Sequence, residues 1–119
     1  MIRKYVDALN VYVNYVEEGD DTSWMTNGER FGLNQEWIAF CAWNGNIYAR
    51  PEASLTDLAH EIGHRKTHQK IGMYSRTWKL ELAAWEWCID RYSKKSWFDH
   101  ERANAFLEYY LKCKAADSI

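Results

Sequence analysis

The residues best equipped for chemistry lie in "LTDLAHEIGHRKTHQ", residues 55–69, which sets His60, His64 and His68 four residues apart with Glu61 beside the first. His60-Glu61-Ile62-Gly63-His64 is an HExxH pattern. On a helix, side chains at i and i+4 share a face, so both imidazoles can reach one divalent ion at roughly 2.0–2.1 Å. Glu61 falls on the neighbouring edge of that face, placed to take a proton from an activated water and return it to a leaving amine. Zinc is the expected ion, because it lowers the pKa of a bound water to about 7 and so makes a nucleophile available at neutral pH. The alternative is a polar helix face that carries histidines and no metal.

Two histidines do not complete such a site. A catalytic zinc takes three protein ligands and keeps one position open. His68 lies on the same stripe, but the helical rise between His60 and His68 is about 12 Å. The two rings would approach one ion from nearly opposite sides, which tetrahedral coordination rejects. His68 is therefore expected to be solvated or to stand behind the ligands. The next apolar-periodic segment, "KLELAAWEWCI", offers two carboxylates, Glu81 and Glu86, and both border the stripe of Leu82, Trp85 and Ile89. Glu81 follows His64 by seventeen residues, enough chain to turn at "IGMYS" and lay a second helix on the first. Ala84 is small enough for two helices to meet closely there, and Gly63 would let a second element approach.

These side chains need a helix to carry them. Ser54, three residues ahead of Asp57 and just before an apolar run, predicts a helix start, with the helix spanning about 55–70 and ending near Gly72. Its buried face is Leu55, Leu58, Ala59 and Ile62. Two further helices are expected at about 76–94 and 99–114. At the N-terminus, Ile2, Tyr5, Val6, Leu9, Tyr12, Val13 and Val16 fit helical spacing over 2–18, with Gly19 as the cap. The alternation in "VYVNYV" competes with that assignment. Between these helices, two Asn-Gly pairs flanked by aromatic and β-branched residues predict hairpins, with strands near 22–26, 29–32, 36–43 and 46–50. Pro51 ends the last strand. The expected order is an N-terminal helix, a small antiparallel sheet and three helices, a single α+β domain over 1–119.

Composition narrows the function classes. A chain of 119 residues with 47% apolar and 27% charged residues can bury one core. Net charge is −2, and no basic run is dense enough for a nucleic-acid patch. No segment approaches the eighteen or so apolar residues of a membrane helix. Cys41, Cys88 and Cys113 form no close pair and read as small buried hydrophobes in a reduced, cytoplasmic protein. The seven Trp and eight Tyr suit a short chain that fills its core with bulky residues, or else a contact surface for a partner.

Over residues 46–90, from "NIYAR" through "DLAHEIGH" to "ELAAWEWCI", the chain resembles the gluzincin class of zinc peptidases. It is most similar to the small ImmA/IrrE-like metallopeptidases of phages, prophages and other mobile elements. Those carry a short strand, an "AHEIGH" or "AHELGH" helix, and a second helix with an ExxAN-type motif. Glu81, Ala84 and Trp85 fall on that motif, with Trp85 where the family usually has Asn or another polar residue. The resemblance implies a minimal zincin-like fold with His60, His64 and Glu81 as zinc ligands and Glu61 as general base. It implies a zinc-dependent endopeptidase with a restricted set of protein or peptide substrates, acting in a bacterial host cytoplasm. On this view the strand at 46–50 is the sheet edge that accepts an extended substrate. Tyr74, Tyr92, His100 and Arg102 are candidates to stabilise an oxyanion. The alternative function is a catalytically silent relative that binds a host factor through exposed aromatics.

Overall fold

The N-terminal segment, expected to be helical, is a β-hairpin in the computed structural model, which describes residues 1–21, 38–42, 44–72 and 76–117, with backbone only at 69 and 70. Strand β1 (Ile2–Val6) pairs antiparallel with β2 (Val11–Tyr15), placing Tyr5 opposite Tyr12 and Val6 opposite Val11. A single 3-10 turn, Asp7–Leu9, joins them. Asn10 follows with φ 53, a left-handed conformation that Asn tolerates better than most residues. The apolar spacing over 2–18 fits both helical and strand periods. In β2 the strand period prevails: Val11 and Val13 are buried while Tyr12 between them is exposed. β-Branched and aromatic side chains favour that outcome. Gly19, at φ 89, belongs to the turn after β2 and caps no helix.

The second Asn-Gly pair makes its expected hairpin. β3 (Ala39–Cys41) runs antiparallel to β4 (Ile47–Ala49), and Gly45 turns the chain at φ 87, donating its N–H to the Ala42 carbonyl. The strand order is β1-β2-β4-β3. Because β2 and β4 are parallel, the sheet is mixed where an antiparallel one was expected. The Val16 N–H donates to the Ala49 carbonyl at 2.9 Å, and the Asn14 side-chain amide to the Ile47 carbonyl at 3.2 Å. β4 is therefore paired along both sides, and all three of its residues are buried. The expectation that this strand offers a free edge to a substrate is overturned: its backbone donors and acceptors are already committed to the sheet. Among the described residues the outer strands are β1 and β3. The first Asn-Gly pair and the strands expected at 22–26 and 29–32 lie outside the described residues.

Three helices follow: α1 (Leu55–Ile71), α2 (Thr77–Tyr92) and α3 (His100–Asp117). The chain is α+β and falls into two compact units, Met1–Glu61 and Ile62–Ile119, with the boundary inside α1. In the first unit Val13, Val16, Ala42, Ile47 and Tyr48 are buried, with Phe40 packed against Val16, Ala42 and Tyr48. In the second, α2 buries Leu82, Ala84, Trp85, Cys88 and Tyr92, while the Trp85 ring stacks on Phe106 of α3. The Asp117 carboxylate at the end of α3 accepts from Arg76 and from the Trp78 indole N–H, tying that end to the start of α2. No described helix is long and apolar enough to cross a membrane. Cys41 and Cys88 are buried and Cys113 half-buried, all as thiols.

Candidate metal centre

Helix α1 starts where its cap places it. The Ser54 hydroxyl oxygen accepts the Asp57 N–H at 3.1 Å, and the Asp57 carboxylate accepts the Ser54 N–H at 3.1 Å and its hydroxyl at 3.0 Å. This reciprocal arrangement satisfies two backbone donors that a helix start leaves open. At the other end Gly72, at φ 85, donates its N–H to the His68 carbonyl, and the helix stops. The start of α1 thus sets the rotational phase of every side chain in the motif.

From Thr56 to His64 every residue of α1 is buried, about two and a half turns. A helix buried around its circumference ought to be apolar, yet this one encloses His60, Glu61 and His64, each only 8–9% exposed. Burying a carboxylate and two imidazoles costs several kcal/mol unless each finds a charge or hydrogen-bond partner. The three residues each offer a ligand atom, and those atoms lie within 4.8 Å of one another. His60 Nε2 is 3.9 Å from Glu61 Oε2.

A carboxylate of α2 reaches one of these three residues. Glu81 Oε1 lies 3.1 Å from His64 Nε2, and its side chain is 21% exposed. Two ligand atoms held by one tetrahedral ion at about 2.0–2.1 Å are roughly 3.3 Å apart. The His64–Glu81 separation is close to that edge length, and it also suits a direct hydrogen bond. Glu86, the other carboxylate on this helix, is exposed. The close approach of α2 is made possible by Gly63: a Cβ at that position would come 2.4 Å from the Ala84 carbonyl oxygen. Thr67 fastens the same turn by donating its hydroxyl to the Gly63 carbonyl at 2.8 Å.

His68, expected to be solvated or to stand behind the ligands, is half-buried and reaches back to His64. Its Nε2 is 2.8 Å from His64 Nδ1, and the two rings meet edge to face. Burial and the neighbouring His64 ring hold its pKa below the ordinary imidazole value, opposed in part by Glu81. The i, i+4 spacing from His64 was visible in the chain; what was not visible is that the ring turns toward Nδ1. The candidate oxyanion donors are placed as follows. Tyr92 is buried among Trp87 and Trp97, exposed His100 packs its ring edge on Phe98, and Arg102 lies over the Phe106 ring. Tyr74 lies outside the described residues.

His60, Glu61 and His64 together could hold a metal ion, with the Glu81 carboxylate beside His64. No protein-family model, no curated protein and no solved structure matches the chain.

Proposed function

We propose that the protein is a zinc-dependent endopeptidase of the gluzincin type, with His60, His64 and Glu81 as metal ligands and Glu61 as general base. The observation that carries this reading is the Glu81 carboxylate of a second helix, 3.1 Å from the second histidine of the HExxH motif. A polar helix face has no need of buried His60, Glu61 and His64, nor of a glycine that admits a further carboxylate. The resemblance to the ImmA/IrrE-like metallopeptidases supports the same division of roles and a minimal zincin-like domain.

Zinc, when bound, supplies Lewis acidity, polarising a scissile carbonyl and making water acidic enough to attack at neutral pH. The rest falls to the chain. Glu61, one residue after His60, accepts a proton from the attacking water as the oxygen adds to the carbonyl carbon. It returns that proton to the amide nitrogen as the C–N bond breaks, so that an amine and a carboxylic acid leave and Glu61 is regenerated. Burial serves this role, since a carboxylate in a poorly solvated site exchanges its proton with the reacting groups more readily than with bulk water.

The test is Glu61→Gln, scored on an unfolded protein such as casein and on a peptide library by mass spectrometry. The exchange should lower cleavage by about 100- to 10,000-fold, the usual worth of a general base. Zinc content should stay at the wild-type level. Cleavage by Glu61→Gln at the wild-type rate would rule out the assigned mechanism.

A further inference from the structure

His64 is gripped at both ring nitrogens. Glu81 Oε1 stands 3.1 Å from Nε2, and His68 Nε2 stands 2.8 Å from Nδ1. A neutral imidazole carries one proton, so the two contacts dictate each other. With His64 neutral and the Glu81 carboxylate ionised, the Glu81 contact calls for the proton on Nε2, and Nδ1 then accepts from His68. Metal ligation through Nε2 demands the opposite arrangement, with the His64 proton on Nδ1 and directed at an acceptor. His68 is placed to be that acceptor, because an imidazole nitrogen can serve as donor in one tautomer and acceptor in the other.

We infer that His68 is a positioning residue for His64, holding the ring through Nδ1 so that Nε2 faces Glu81, and accepting a hydrogen bond from Nδ1–H when Nε2 binds a divalent cation. This rests on the metal reading proposed above, though not on peptidase activity. It separates His68 from the ligand set while giving its i+4 spacing a purpose. The direct 2.8 Å contact and the edge-to-face packing also fix the ring plane of His64, which a water molecule in the same place would leave free to rotate.

The experiment is a zinc titration by chelator competition on the full chain. It compares the wild type with His68→Leu, His68→Gln, His64→Ala and, as a control at an exposed position of α1, Lys66→Ala. His68→Leu should weaken zinc binding about 10- to 100-fold, the range seen when the partner of a ligating histidine is removed. His68→Gln should recover most of that loss, since an amide can also donate or accept, and Lys66→Ala should match the wild type. Nitrogen-15 NMR of the zinc-loaded wild type gives a readout that needs no variant: the His64 proton should sit on Nδ1 and shift toward His68. Zinc affinity of His68→Leu within twofold of the wild type, while His64→Ala loses binding, would overturn the inference and leave the metal site standing. A His64 proton on Nε2 in the zinc-loaded protein would overturn it as well. Failure of the wild type itself to bind zinc would overturn both this inference and the metal reading.

Discussion

At the scale of residues, the proposed ligand set turns on Glu81, which meets His64, and leaves out Glu86. Both carboxylates border the same stripe of α2, so spacing alone leaves them nearly equivalent. Glu81 is half-buried with an oxygen 3.1 Å from His64 Nε2, whereas Glu86 is exposed. Replacing Glu81 with Gln keeps the shape but removes the charge that a cation requires. Zinc affinity should then fall by more than about 100-fold, beyond what loss of a partner behind the ligands produces. Glu86→Gln should leave affinity within about twofold, as expected of an exposed carboxylate. Metal analysis showing the reverse order would move the third ligand one and a half turns along the helix.

At the scale of elements, the contact between α1 and α2 depends on Gly63. An alanine there would gain about 1 kcal/mol in helix propensity. It would also drive a methyl group into the Ala84 carbonyl, 2.4 Å away, and backbone cannot step aside as a flexible side chain would. Overpacking of this kind costs about 1–3 kcal/mol, so the clash outweighs the propensity. Gly63→Ala should lower the thermal midpoint and, by displacing Glu81, weaken zinc binding as well. A variant more stable than the wild type with unchanged zinc affinity would show that the helices can shift apart without consequence. The alanine at 84 and the glycine at 63 were both legible as small residues on facing segments. Their register against each other was not, because it depends on the path of the turn between the helices.

At the scale of the whole molecule, a buried site of this kind should couple folding to metal. Free zinc at about 100 times its Kd adds roughly 2.7 kcal/mol to stability, because the unfolded chain has no assembled site. For a chain of this size that corresponds to a thermal midpoint on the order of 10 °C higher. Adding a chelator should remove the increment in the wild type, and His64→Ala should show no chelator effect. Equal chelator sensitivity in the two proteins would mean that any stabilising ion binds elsewhere. The α+β composition of the molecule follows from its sequence; the sheet's order does not. β2 and β4 pair in parallel across a separation of more than thirty residues, and no local pattern announces that pairing.

By itself the sequence determined what is local. The HExxH spacing, the Ser54–Asp57 cap, the Gly72 stop and the Asn44-Gly45 turn each act within a few residues, and each is in place. Tertiary structure decided everything that needed a distant partner. It turned residues 2–15 from an expected helix into a hairpin, because a chain with both periods adopts the one its neighbour can pair with. It placed β4 in the interior, and it chose Glu81 over Glu86 as the carboxylate beside His64. It also decided the place of His68, whose spacing marks it as a neighbour of His64 but whose ring orientation is a matter of packing.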